Sequence, residues 1–369
     1  MKATTESAEL SAALSASVRH VVPSKTGTVL SNAIISSSND LLSVTVTNMD
    51  AQVEVIVAAK VAEEGVACVS ADKLLAILQS PPPYSFVSKG SSLSVSSAGG
   101  SARLPLQESF RPADTGVPTS VARVAALGVS GWRVPLETSR DNPTGDTSRS
   151  SVHIRAQGGL LVAECADPYQ YGVATVGADV DGEIDVMIPS QVAELIYALR
   201  SGGGDMELGV NDTRFFATVR RCDLVVKVAS AVVGVKFPRI PVEKLRGDLV
   251  CDVGAASVLE ALRSATLFLD KISPWVALRF DGDALVVSTV SQNGSFSGPR
   301  IHTDHQVDRL LFLNPDFLAS ALRAAGPGKV RFAMPPNDVG HGATIRISGQ
   351  GWDYYCGTMK EQPGWNETG

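Results

Sequence analysis

The side chains that could do chemistry are few and scattered. His302-Thr303-Asp304-His305 holds the only two histidines close enough in sequence to suggest a shared metal ion. A His-x-x-His step needs a helix or a special loop to turn both imidazoles onto one ion, and a third ligand besides. No strong candidate for that ligand follows, so the segment is expected to be a surface turn between strands. GSFSG, residues 294 to 298, has the outline of a nucleophile elbow, but Phe296 stands where the serine must. GGLLVAE and SGGGDME lack both the spacing and the lysine of a phosphate loop. Cys68, Cys165, Cys222, Cys251 and Cys356 are odd in number and never spaced as CxxC. Each lies in or beside a strand-like run, as expected for small buried hydrophobes in a reducing compartment. No two carboxylates stand out as an acid and base. No catalytic residue, no metal site and no cofactor is expected.

Chemistry being absent, the elements themselves carry the information. The chain has 369 residues, enough for two or three domains, and its 44% hydrophobic content is ample for cores. Frequent valine favours strands. No run approaches the roughly 18 apolar residues of a membrane span, and the acidic N-terminal stretch is not a secretory signal, so a cytoplasmic protein without membrane contact is expected. The net charge of −6 argues against a generic nucleic-acid coat. It leaves room for a basic inner face set against an acidic outer one.

The stretch LLFLNPDFLASALRAAGPGKVRF, residues 310 to 332, reads as strand, stop, helix, glycine break, strand. Asn314 suits an N-cap and Pro315 the first helical position. Leu318, Ala321, Leu322 and Ala325 fall on one helix face, and Gly326-Pro327-Gly328 ends it. The same paragraph occurs near residues 185 to 208, with Val192, Leu195, Ile196 and Leu199 on one face and Gly202-Gly203-Gly204 at the end. It occurs again near residues 66 to 80, with Leu74, Leu75 and Leu78 behind Ser70. Ser70, Pro189 and Asn314 lie roughly 120 residues apart. Each copy is followed by two strand-like runs, and each unit opens with another expected helix, over 6–18, 119–131 and 254–269. Further antiparallel strands follow, joined by turns such as Asp281-Gly282-Asp283. The sequence thus predicts an α+β protein of three tandem domains, 1–117, 118–246 and 247–369, of one helix-strands-helix-strands plan.

With TVLSNAIISSSNDLLSVTVTNMD in the first domain, GVKFPRIPVEKL closing the second and LFLNPDFLASAL in the third, the chain resembles the bacterial sliding clamp family, the beta subunit of DNA polymerase III, as a divergent member. The likeness is colinear over essentially the whole chain. It implies a homodimer closing a six-domain ring, helices lining the hole and sheets outside. Such a ring is a DNA-binding processivity factor in replication, is loaded onto double-stranded DNA by a clamp loader complex and catalyses nothing. It would tether the catalytic subunit of DNA polymerase III and other proteins carrying a clamp-binding motif.

Each expected helix has a basic residue in it or at its end: Arg19, Lys73, Arg123, Arg200, Arg263 and Arg323. None belongs to its apolar stripe, so they are solvated charge or a bore touching phosphates without reading bases. The resemblance adds Lys25 and Arg149 on two DNA-reaching loops. At the second loop the family often has aromatic residues, and this chain has Ser150 and Ser151. The family's peptide groove maps to Val152, Ala166, Pro168, Tyr169, Tyr171, Pro238, Val242 and Met359. Here DPYQYG replaces a loop that usually has a glycine and a basic residue after the aspartate, and the chain continues past the groove strand through KEQPGWNETG. The ring seam maps to Phe110, facing Leu267 and Phe268 of a second copy. An alternative keeps the fold without the replication role, as a paralogue that scaffolds protein partners.

Overall fold

A computed structural model describes residues 1–23, 28–48, 50–140, 150–238, 240, 249–270, 274–334 and 343–360. Six α-helices lie among the described residues: α1 (Glu9–Val21), α2 (Ala71–Leu78), α3 (Arg133–Arg140), α4 (Ser190–Leu199), α5 (Ala255–Ala265) and α6 (Pro315–Ala325). The residues divide into two units, one of Met1–Ser130, Ile154–Leu161 and Gly177–Gly234, the other of Gly131–His153, Val162–Val176 and Val235–Gly369.

In the first unit α1 buries Leu10, Ala13, Leu14, Ser17, Val18 and Val21, an i, i+3, i+4, i+7 stripe that sets the helix on the sheet and leaves Arg19 in solvent. Its partner α4 buries Val192, Ala193, Leu195, Ile196 and Leu199. The nine-stranded sheet beneath runs Asp179–Asp181, Ser120–Ala125, Asp205–Val210, Arg214–Arg220, Leu224–Ala231, Ala51–Ala58, Leu41–Thr47, Asn32–Ser38 and Gly65–Ser70. Val53, Val55 and Val57 alternate with Gln52, Glu54 and Ile56, and the valines are the fully buried set. A second sheet, of five strands, runs Lys60–Glu63, Lys2–Thr5, Tyr84–Lys89, Ser92–Ser97 and Gly100–Pro105.

A cation locks α1 to the end of α4. Arg221, its side chain only 9% exposed, pairs through Nη1 with Glu9 Oε2 at 2.5 Å and donates through Nη2 to the Leu199 carbonyl and through Nε to that of Gly203 at 3.3 Å. The last carbonyls of a helix carry its negative partial charge, so the guanidinium sits where that charge is largest. Towards the other end of α1, His20 Nδ1 lies 3.4 Å from Glu194 Oε2 of α4.

In the second unit the strands run Gln170–Gly177, Trp352–Gly357, Thr344–Gly349, Lys329–Met334, Leu249–Gly254, Ile301–Leu313, Val276–Ser291 and Gly294–Ser297. Helices α3, α5 and α6 cover this sheet, α6 touching both others. The α3 helix lies so close to the Gln170–Gly177 strand that a Cβ on Gly172 would overlap Thr138 Oγ1 and sit 3.0 Å from Val134 Cγ1. Glycine is what admits the helix. At the end of α6, Gly326 takes φ +64° and ψ −140°, a positive-φ conformation that glycine adopts at little cost and that lets the chain leave the helix.

Three local expectations change. Residues 119–131 hold no α-helix: Ser120–Ala125 is a strand, Ala126–Trp132 a 3-10 segment, and the helix comes afterwards as α3. Ala122 and Val124 are buried while Arg123 and Ala125 face out, a period of two that pairing on both edges enforces. Asp281-Gly282-Asp283 is not a hairpin turn but the middle of the 16-residue strand Val276–Ser291, at an irregularity where pairing moves from Gly282↔Val307 to Ala284↔His302. His302 and His305 therefore stand on a strand: His302 Nδ1 is 3.9 Å from Asp283, and the Asp304 between them pairs with Lys329 at 2.7 Å. The GSFSG segment is an edge strand whose Phe296 stacks on Phe268.

Four of the five thiols are buried, and Cys222, expected inside, is exposed in the turn after the Arg214–Arg220 strand. Burial pushes Cys165, Cys251 and Cys356 up to about 12, helped by Asp167 beside Cys165 and by Asp252 and Asp304 near Cys251. Burial also raises Cys68. A thiol reagent at pH 8 is thus expected to label one cysteine quickly in the folded protein and all five after denaturation. Fast labelling of a second cysteine would contradict the burial of the other four.

Candidate functional site

Asp167 builds the first wall of a groove in the second unit. Its Oδ1 accepts from the backbone N–H groups of Tyr169 at 2.7 Å and Gln170 at 2.9 Å, and its Oδ2 accepts from Gln170 Nε2 at 2.9 Å. This turn, typical of aspartate, throws Pro168 and Tyr169 outward, with Tyr169 68% exposed. Gln170 turns inward, where its Oε1 accepts from Tyr354 Oη at 2.5 Å.

Tyr171 stands opposite Tyr355 on the neighbouring strand, and the two rings stack with centroids 5.7 Å apart. Its hydroxyl donates to Glu164 Oε2 at 2.5 Å, and His153 Nδ1 donates to Glu164 Oε1 at 2.9 Å. Glu164 and His153 are each 6% exposed, and the imidazole stacks on Phe237 at 4.7 Å. A buried carboxylate with these two donors holds the Tyr171 ring in one orientation, since leaving it under-bonded would be costly.

The opposite wall comes from the Asn314-Pro315 stop. Asn314 Oδ1 accepts from Asp316 N at 2.9 Å, as an N-cap does, and α6 starts with Pro315. Phe317 lies on its first turn, off the buried Leu318-Ala321-Leu322 stripe, and stacks against Tyr169 at 6.5 Å. Met359 completes the rim. It bridges to Phe312, with its N–H on the Phe312 carbonyl at 2.7 Å, while Thr358 N–H reaches the Ala343 carbonyl at 2.7 Å. Between these walls lies a cavity of about 650 Å³, lined also by Ile240, Thr344 and Gly357. That volume and the aromatic lining suit a few apolar side chains of a short peptide.

Of the expected groove residues, Pro168, Tyr169, Tyr171 and Met359 line the cavity. Ala166 clusters behind it with Tyr171 and Tyr355, Val152 is wholly buried, and Pro238 is exposed. Val242, Lys25 and Arg149 lie outside the described residues. Sequence reasoning missed Phe317, Tyr355, Asn314 and Ile240. An aromatic on a first helical turn, outside the apolar stripe, was the available signal for Phe317.

The expected basic residues fall into two groups. Arg19, Lys73 and Arg263 are exposed on α1, α2 and α5, with no ion-pair partner among the described residues. The other three are engaged. Arg123 lies on a strand, 3.0 Å from Glu207 and 3.5 Å from Asp179. Arg200 follows α4 and lies over the Tyr197 ring at 3.5 Å, donating to the Tyr197 carbonyl. Arg323 reaches the buried Glu137 of α3 at 3.2 Å. At the expected seam Leu267 is 80% exposed, while Phe110 and Phe268 are half-buried.

The fold is that of the bacterial sliding clamp, and the chain matches solved clamps end to end. It is similar to the sliding clamp of Pseudomonas aeruginosa bound to griselimycin at 18% identity and TM-score 0.79, over 98% of this chain and 100% of that one. It is similar to a putative DNA polymerase III beta subunit from Eubacterium rectale at 15% identity and TM-score 0.77, with the same coverages. A further structure of the Pseudomonas aeruginosa beta subunit aligns at 18% identity and TM-score 0.77 over 98% of this chain and 100% of that one. No family model matches the sequence, and no curated protein does. No described helix is long and apolar enough to cross a membrane.

Proposed function

We propose that this protein is a sliding clamp: two copies close a ring on double-stranded DNA, and each copy tethers the replicative polymerase and the clamp loader by a peptide seated in the aromatic groove. The carrying observation is that groove, a 650 Å³ cavity walled by Tyr169, Tyr171, Phe317, Tyr355 and Met359 in a chain of clamp fold over its length. The domains would divide at 1–117, 118–246 and 247–369, with Phe110 meeting Leu267 and Phe268 of the second copy. It would act in the cytoplasm, on the nucleoid, and catalyse no reaction. Loaded onto a nicked circular plasmid, the protein should co-elute with the circle and be released when the circle is linearised. Equal retention on both would mean ordinary DNA binding and would overturn the proposal.

The DNA interaction is expected to rest on Arg19, Lys73 and Arg263. Taking one cation away from a phosphate lowers the slope of log affinity against log salt by about 1, so replacing all three with alanine in both copies of the ring should flatten it by about 6. The same slope in the triple variant would place the phosphate-binding cations elsewhere.

A second reading is favoured by the engagement of Arg123, Arg200 and Arg323 within the fold. With half the expected cations occupied, the chain would be a clamp-like scaffold for protein partners. A peptide carrying the polymerase's clamp-binding motif separates the two, binding in the groove on the first reading and not at all on the second.

A further inference from the structure

The chain leaves its last described strand at the rim of the groove. Met359 lines the cavity, and its backbone is pinned to Phe312, so whatever follows Lys360 starts from a fixed point beside Tyr169 and Phe317. The sequence there reads EQPGWNETG, residues 361 to 369. Trp365 is its one large apolar side chain. The other tryptophans, Trp132, Trp275 and Trp352, are buried at 1, 7 and 8% exposure.

Taking the groove as the peptide site proposed above, we propose that segment 361–369 of the same chain occupies it, with Trp365 as the anchor and partner peptides as its competitors. Reach permits this: six residues beyond Met359 span up to about 20 Å, and Pro363-Gly364, a turn-forming dipeptide, directly precedes Trp365. Chemistry favours it as well. Four aromatic rings surround the cavity, Tyr169 is 68% exposed, and an indole buries a large apolar face against such rings in offset or edge-on packing. Tryptophan is also prominent among the residues that carry most of the energy of an interface.

Tethering supplies the remainder. A short flexible connection holds the segment at an effective concentration of about 1 mM. A segment whose free peptide binds at about 100 µM would then leave the groove open about one-eleventh of the time. The affinity of any competitor falls by that fraction, about tenfold.

The test uses the full chain and its Trp365→Ala variant, with two labelled probes: a synthetic peptide of residues 361–369 and a peptide carrying the polymerase's clamp-binding motif. The 361–369 probe is expected to bind W365A about tenfold more tightly than wild type, and adding Phe317→Ala should abolish the gain. Tryptophan emission isolated as the difference between wild type and Trp365→Phe should be shielded from acrylamide, and exposed once Tyr169 and Phe317 are both alanine. Equal binding of the 361–369 probe to wild type and W365A, or freely quenched Trp365, would overturn the inference. Shielding that grows with protein concentration would assign the segment to a second copy and overturn its placement in the same chain. The motif probe keeps the two proposals apart. Equal binding of it to wild type and W365A sinks the tail inference alone, whereas its binding to neither sinks the polymerase-docking reading.

Discussion

Replacing Arg221 with methionine is expected to destabilise the first unit by about 3 kcal/mol, read as a fall in the thermal midpoint of roughly 6–12 °C. Methionine keeps most of the aliphatic packing and removes only the guanidinium. The loss then has three parts: the pairing to Glu9, and the hydrogen bonds to the carbonyls of Leu199 and Gly203. Breaking a buried pair by removing one partner costs about 3–5 kcal/mol, and the lower end applies because Glu9 is still 37% exposed and can be rehydrated. The two carbonyls, both part-buried, lose a charged donor in addition to the pair. Glu9→Gln should therefore cost far less than Arg221→Met, although both remove the same ion pair. Equal losses would mean that the salt bridge, and not the helix-end carbonyls, is what Arg221 serves.

The second large effect is expected in the groove. In the Trp365→Ala background, where no tail anchor competes, Phe317→Ala should weaken binding of a clamp-motif peptide by about 30-fold, or about 2 kcal/mol, the size typical of a hot-spot aromatic. The side chain is half-buried and lies off the α6 core stripe, so unfolding stability should change by less than about 1 kcal/mol. Tyr171→Phe should divide the other way. It keeps the ring that the peptide would touch and removes a donor to the buried Glu164, so it should cost about 1–3 kcal/mol of stability. Peptide affinity should then fall only as far as the ring loses its fixed orientation. Titrations of both variants beside their unfolding curves check this division, and a stable Phe317→Ala protein with unchanged affinity would remove Phe317 from the binding surface.

Most of the fold was legible in the sequence because its elements obey simple periods. The stripes of α4, α5 and α6 run at helical spacing and are bounded by a cap or a glycine. The Ala51–Ala58 and Leu41–Thr47 strands alternate. The α3 helix was illegible because its buried residues are mixed, Val134 and Leu136 being followed by three polar ones. Glu137, Thr138 and Ser139 are buried; Glu137 is ion-paired with Arg323, and the two hydroxyls donate to the carbonyls of Val134 and Leu136. No hydrophobic period marks such a helix. The valine- and alanine-rich 119–131 segment before it looked helical by composition, and only pairing with two distant strands decides otherwise.

The groove was half legible. The family resemblance pointed to the DPYQYG turn and Met359, but Tyr171 meets Tyr355, and Tyr169 meets Phe317, across more than a hundred residues of chain. The charged residues were the least legible. A basic residue on a helix looks the same in sequence whether it is exposed, as Arg19 is, or committed to a buried carboxylate, as Arg323 is.

Negative-stain class averages of the purified protein without DNA bear most directly on the central proposal. A clamp should give closed rings of pseudo-six-fold symmetry, with a hole of roughly 20 Å or more, about twice the width of an α-helix. Crescents or single chains alone, at concentrations where a clamp dimer would persist, would contradict it.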